Sequence, residues 1–187
     1  MTRSGIATTK TRDPRPGQAP EIRLRRPTAD DGPALHELIA ECPPLDRNSR
    51  YCNLLQVSHF ARTAVVAEQD GELVGSITGY LKPDAPDTLF IWQVAVHARA
   101  RGQRLATRMM DAIVDRDVCR GVRFMETTIE PGNAASWRAF EKFAEARSAP
   151  MQRSLLFTRE RHFAGTHGDE VLLRIGPFGA GFAADRA

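Results

Sequence analysis

The 187-residue chain contains no apolar run near the length of about 18 residues that a membrane-spanning helix needs. Its opening stretch, MTRSGIATTKTRDPRPGQAP, has basic residues but no apolar core, so it does not read as a signal peptide. Cysteine is scarce. Cys42, Cys52 and Cys119 are odd in number and lack metal-ligand spacing, which argues against a disulfide framework and for free thiols in a reducing cytoplasm. A dominant charge is also missing: 26 Lys and Arg against 23 Asp and Glu leave a net +3. The arginines are scattered, so there is no electrostatic footprint for nucleic acid. Neither a membrane nor a nucleic acid is expected as a partner, and no internal repeat is visible.

What remains is ordinary globular material, with 42% hydrophobic and 26% charged residues and enough chain for one domain with a sizeable core. Residues 1–20 are Thr-, Arg- and Pro-rich and read as a disordered arm, residues 21–176 as a single domain, and residues 177–187 as a flexible tail. EIRLRRP alternates Ile22 and Leu24 with charges, as a half-buried strand does. TADDGPALHELIAEC reads as a helix, with Thr28 and Asp31 as a capping box and Leu35, Leu38, Ile39 and Cys42 as its apolar stripe. RYCNLLQVSHF is a second short helix, with Tyr51, Leu54, Leu55 and Phe60 inward. Two β-rich runs flank Asp70-Gly71, a strong hairpin signal.

KPDAPDT then reads as a loop. LFIWQVAV has bulky residues of both parities and reads as a central strand covered on both faces. A helix from Leu105 to about Cys119, the strand RFMETTI, the turn EPGN, the helix AASWRAFEKFA and the strands MQRSLLF and EVLLRI follow. TRERHFAGTHGD joins the last two. A hairpin followed by βαβ units predicts an α+β fold, a mixed sheet with helices on both faces.

The stretch RARGQRLA, residues 99–106, leaves the central strand and enters a helix at once. Amides at such a junction, with the helix dipole behind them, can hold an anion, and Gly102 lets a phosphate approach the backbone. A solvated basic connector is the other reading of the same residues.

The chain from the first strand to Ala144 resembles the GNAT superfamily of acetyl-coenzyme A-dependent N-acetyltransferases. That superfamily carries a [Gln/Arg]-x-x-Gly-x-[Gly/Ala] turn after its fourth strand. Arg99, Arg101, Gly102, Leu105 and Ala106 fit the turn, while Arg104 stands where a small residue is usual. Its Cβ must then point away from the phosphates. GNAASWRAFEKF resembles the family's second motif, with Asn133 matching, Ser136 replacing Ala and Phe140 in the slot of a Tyr that often protonates the leaving thiolate. Phe140 has no proton to give and reads as a core aromatic.

The resemblance implies a GNAT fold with splayed fourth and fifth strands. It implies acetyl-coenzyme A as co-substrate, held by Val94, Ala95, Val96, Arg101, Gly102, Gln103, Arg104, Leu105, Ala106, Asn133 and Ser136, and no metal. It also implies a homodimer.

LDRNSRYCNLL, PDAPDTLFIWQVAVH and THGDEVLLRI narrow the likeness to the L-2,4-diaminobutyrate acetyltransferases of ectoine biosynthesis, over about Ile22 to Ile175. The implied reaction acetylates the 4-amino nitrogen of L-2,4-diaminobutyrate, a small diamine. Polyamine or ornithine acetylation, or a non-catalytic acyl-coenzyme A-binding module, are the alternatives. The amine must lose a proton, yet LFIWQVAV carries no acid to take it. The candidates for catalysis are Asp46 and Glu170, with the Val96 amide polarising the thioester oxygen. The candidates for substrate binding are Asp46, Ser49, Trp92, Gln93, His167 and Glu170. Each has a plainer reading: Asp46 as a helix cap, Glu170 as a solvated strand end, Trp92 as core. His97, where many GNAT chains have proline, reads as structural rather than basic.

Overall fold

The computed structural model describes residues 21–179 and has the expected strand and helix order with one addition, a short helix inside the expected connector TRERHFAGTHGD. The elements run β1 (Arg23–Arg25), α1 (Gly32–Ala40), α2 (Arg50–Ser58), β2 (Val65–Gln69), β3 (Glu72–Lys82), β4 (Ala85–Val96) and α3 (Leu105–Val114). They continue through β5 (Phe124–Ile129), α4 (Ala134–Ala146), β6 (Met151–Phe157), α5 (Arg159–Phe163) and β7 (Glu170–Ile175). One sheet of order β1-β2-β3-β4-β5-β7-β6 results. Only its β4–β5 pair is parallel, because α3 carries the chain back across the sheet between them.

The hairpin forms where Asp70-Gly71 predicts it. Both residues take positive φ, 55° and 82°, as a tight two-residue turn of this hand requires. Two apolar clusters lie on the sheet. Met109, Met110 and Ile113 of α3 and Phe140 and Phe143 of α4 pack with Ile77, Leu89, Ile91, Met125 and Leu173. Leu35, Leu38 and Ile39 of α1 pack with Val57 and Ala95. The fold is thus α+β with helices on both faces.

Several expectations need correction. KPDAPDT is not a free loop: Lys82 pairs with Ala85, and the ladder shifts between Leu81 and Lys82. Pro86 falls in that irregularity, where its missing N–H breaks no ladder bond. The inward face of α2 is largely polar, with Val57 its one fully buried apolar member. Asn53, Gln56 and Val57 are buried, whereas Tyr51 is 69% exposed and Phe60 38%. Asn53 can turn inward because its amide meets His36 Nδ1 at 2.9 Å and the Arg47 carbonyl at 3.3 Å. The helix from Leu105 ends at Val114, with a 3-10 turn at Asp117–Cys119. The expected flexible tail from 177 begins with core: Phe178 is 6% exposed and meets Phe143 edge-on. The expected arm, residues 1–20, and residues 180–187 lie outside the described residues.

LFIWQVAV is not covered on both faces either. Gly79 pairs with Ile91 and Thr78 with Gln93, so Trp92 is the extra residue of a β-bulge. A Cβ on Gly79 would come within 2.5 Å of the Phe90 carbonyl oxygen, so only glycine fits opposite the bulge. Trp92 is left 46% exposed. Pairing of β4 with β5 covers only Thr88 to Ile91, and residues 92–96 part from β5. That divergence opens the cleft that positions the site.

Candidate active site

The splay opens a cleft of about 550 Å3. One wall is residues 42–45 after α1, a second is Val94 and Val96 of β4, a third is the turn before α3, and α4 closes the fourth. The turn is built for an anion. Gly102 sits at φ 79° with no atom within 4 Å of where a Cβ would stand. Arg104 takes the left-handed conformation, φ 54° and ψ 26°, and no side chain caps α3 behind it. The first amides of α3 have no intrahelical acceptor, and the positive end of its dipole faces the cleft.

Among the residues expected to hold coenzyme, Val94, Val96, Arg101, Gly102, Arg104, Leu105, Ala106, Asn133 and Ser136 line this cleft. Gln103 and Ala95 stand apart from the lining. Ala95 is buried against α1 because its side chain points to the opposite face of the strand from Val94 and Val96. Asn133 has a local task as well: its Oδ1 accepts from the Ser136 amide at 3.1 Å and so caps α4. Phe140 is buried, 2% exposed, with its ring edge at the cleft. Arg99 points elsewhere and pairs with Glu72 at 2.8 Å.

Among the lining residues the sequence reading did not assign to the site, three carry chemistry. Arg138 and Lys142 add two cations to Arg101 and Arg104. Their spacing of four on one helix was the available signal. Cys42 also lines the cleft. Burial pushes its thiol pKa up, although the Arg101 charge and the Val96 amide directed at the sulfur oppose this. A thiol so placed stays protonated and is a poor nucleophile.

A second group of residues gathers around the end of β7. His167 Nε2 lies 3.9 Å from Glu170 Oε1 and 3.7 Å from Glu130 Oε1. Its Nδ1 donates to the Gly168 carbonyl at 3.0 Å, which raises the imidazole pKa. The charges of Glu130, Glu170 and Asp46 add to that rise. The Glu170 pKa is raised chiefly by burial, with Glu130 adding, against a hydrogen bond from Thr128 and the charge of His167.

Asp46 is tied into the same region through the chain. Gln93 Nε2 donates to the Asp46 carbonyl at 2.7 Å and anchors the α1–α2 connection to β4. The Asp46 carboxylate accepts from the Asn48 amide at 3.1 Å, an Asx turn rather than a helix cap, and remains exposed. Ser49 is the helix cap: its Oγ accepts from the Cys52 amide at 3.1 Å. Trp92 stands edge-on to Tyr80 with centroids 6.3 Å apart. Asp46, Gln93, His167 and Glu170 are thus brought together, while the Ser49 oxygen is engaged locally. Glu130 and Thr128 are the members the sequence reading missed. Both lie at the end of β5, and only the β5–β7 pairing shows that they face Glu170.

A cationic cleft beside a splayed β4, with Asp46 and Gln93 next to its lining residues Leu45 and Val94, can place an acyl thioester against an amine. A model of the acetyltransferase (GNAT) family matches residues 32–144. The chain belongs to that family and is an acetyl-coenzyme A-dependent N-acetyltransferase. It is 52% identical to the L-2,4-diaminobutyric acid acetyltransferase of Methylotuvimicrobium alcaliphilum over 161 residues, 86% of this chain and 94% of that protein. It is 49% identical to the enzyme of the same name from Bordetella parapertussis, over 87% and 88% of the two chains. The diaminobutyrate acetyltransferase EctA of Paenibacillus lautus, solved with L-2,4-diaminobutyric acid and coenzyme A, superposes with a TM-score of 0.83 at 42% identity. That match covers 86% of this chain and 98% of the other.

Proposed function

We propose that this protein transfers the acetyl group of acetyl-coenzyme A to the 4-amino nitrogen of L-2,4-diaminobutyrate, giving 4-acetamido-2-aminobutanoate for ectoine biosynthesis under osmotic stress. The observation that carries this reading is the adjacency of the two sites. The lining of the cationic cleft includes Leu45 and Val94, and their neighbours Asp46 and Gln93 bond to each other beside a group of carboxylates suited to a molecule with two ammonium groups. The pyrophosphate lies on the amides around Gly102 and the first turn of α3. Arg101, Arg104, Arg138 and Lys142 supply countercharge. The pantetheine arm follows Val94 and Val96.

The amine arrives charged. With a pKa of about 10.4, taking lysine as the guide, fewer than about one molecule in 1,000 is neutral at pH 7, a deficit of more than about 4 kcal/mol. Glu170 takes the proton, helped by the burial that raises its pKa toward working pH. The freed nitrogen attacks the thioester carbon, and the Val96 amide, turning from the Cys42 sulfur it otherwise faces, steadies the developing oxyanion. The C–S bond breaks as the nitrogen gives up its second proton to solvent, and the thiolate leaves to take a proton from solvent, since Phe140 has none to give. Asp46 and Glu130 hold the substrate's second ammonium, and Trp92 and Gln93 wall the pocket. Two such subunits pair in the cytoplasm. The exposed Leu155, Leu156 and Phe157 of β6 and the three free thiols support that reading.

One cluster, Glu130, His167 and Glu170, also has its ligand atoms within 4.8 Å of one another, a spacing open to a cation. The test is therefore thiol release from acetyl-coenzyme A after dialysis against EDTA, with diaminobutyrate, ornithine and a polyamine offered separately. Full turnover that favours diaminobutyrate is expected. Preference for ornithine or the polyamine moves the substrate, and coenzyme binding without turnover makes the protein an acyl-coenzyme A-binding module. Loss of activity restored only by a divalent ion gives the cluster to a metal.

A further inference from the structure

We propose that His97 is a positioning residue for the coenzyme, one imidazole that fixes two walls of the cleft at once. The proposal rests on the reading of that cleft as the coenzyme site. His97 is the first residue after β4, and its own amide donates to the Val74 carbonyl at 2.9 Å. The backbone of the residue is thereby pinned to β3. The chain then makes a 3-10 turn, Ala98–Ala100, and the anion-holding stretch begins at Arg101.

His97 caps that turn: its Nδ1 accepts from the Arg99 amide at 3.2 Å. The Ala100 amide closes the turn on the His97 carbonyl at 3.0 Å, and Ala100 is fully buried. The cap, together with the turn's own backbone bonds, orients the chain as it enters Arg101-Gly102. Because Nδ1 is the acceptor, the neutral ring carries its proton on Nε2. That nitrogen lies 3.4 Å from Oε2 of Glu41, the residue that ends α1. The next residue, Cys42, opens the opposite wall of the cleft.

His97 itself is not among the cleft's lining residues. It touches no part of the coenzyme's path and acts through the loop. Its absence should therefore appear in the affinity for acetyl-coenzyme A and not in the chemical step.

Asparagine and glutamine separate the two contacts. The H97N substitution presents an amide oxygen where Nδ1 stands, and asparagine is among the best capping residues. The H97Q substitution reaches toward Glu41 but leaves the Arg99 amide without its acceptor. The experiment measures kcat and the KM for acetyl-coenzyme A, at saturating diaminobutyrate, for H97A, H97Q, H97N and the loop control G102V, with thermal melting of each. H97A and H97Q are expected to raise that KM about fivefold, the scale of a lost helix cap, with kcat within about twofold of wild type. H97N is expected to restore the cap and bring KM back to within about twofold of wild type, the remainder being the lost link to Glu41. Equal KM values for H97Q and H97N overturn the proposal even if H97A fails to fold. A raised KM in G102V with wild-type KM in all three His97 variants overturns it while leaving the coenzyme loop in place. An unchanged KM in G102V removes the loop reading and the proposal together.

Discussion

Replacing Glu170 by Gln is expected to lower kcat for diaminobutyrate by about a hundred- to ten-thousandfold, the usual contribution of a general base. The KM for acetyl-coenzyme A should stay near wild type, since Glu170 lies outside the coenzyme cleft. The pH dependence follows from the direction of its shift. Burial raises the Glu170 pKa above the ordinary carboxylate value, so the folded enzyme keeps this proton at pH values where a free side chain has lost it. The base is therefore off in acid and comes on as pH rises through the elevated value. Wild-type kcat/KM should show an acid limb displaced upward from the ordinary carboxylate range, and Glu170→Gln should abolish it. The residual rate then follows the neutral amine alone, rising about tenfold per pH unit toward a pKa of about 10.

Stability moves the other way. A group whose pKa is raised on folding binds its proton more tightly in the folded state, so its contribution falls as pH rises through the shifted range. At neutral pH the neutral amide should cost nothing in melting temperature and can raise it. A variant that loses activity while melting no earlier than wild type has lost chemistry and not structure. Wild-type kinetics in Glu170→Gln would move the base elsewhere, with Asp46 next to be tested.

Replacing Gly102 by Val is expected to raise the KM for acetyl-coenzyme A by about five- to 150-fold. Two effects act together. At φ 79° a β-branched residue is strained by about 1–3 kcal/mol, which the free loop sheds by relaxing and coenzyme binding must put back. The added side chain also fills the open space over the turn, where a Cβ meets no protein atom. Since only the coenzyme would occupy that space, Gly102→Ala should fall between wild type and Val. Isothermal titration with coenzyme A reads the effect without the amine. An unchanged affinity for the Val variant would remove the turn from the site.

How much of this was legible in the sequence follows from how local each feature is. The Asp70-Gly71 turn and the strand-to-helix turn at Gly102 lie within a few residues of chain, and each formed where its residues predict. The oddity at Arg104 was legible too, and the left-handed conformation is how a large residue fits there: it enters the helix without a cap and remains exposed. Features set by distant partners were not legible. The polar face of α2 turns inward only because His36 and the Arg47 carbonyl wait for Asn53. The bulge that exposes Trp92 depends on Gly79, on another strand. Asp46 joins His167 and Glu170 across most of the chain, through Gln93 on one side and the β5–β7 pairing on the other. The resemblance named those residues, but only the fold shows that Glu130 and Thr128 complete their surroundings.

The central claim is transfer to the terminal nitrogen of diaminobutyrate, and the position of the new amide bond tests it most directly. The purified protein is incubated with diaminobutyrate and acetyl-coenzyme A labelled with carbon-13 at the acetyl carbonyl, and the product is read by heteronuclear NMR. The account predicts a single product whose labelled carbonyl correlates with the protons on C4. Correlation with the C2 proton, or no labelled amide at all, would contradict it.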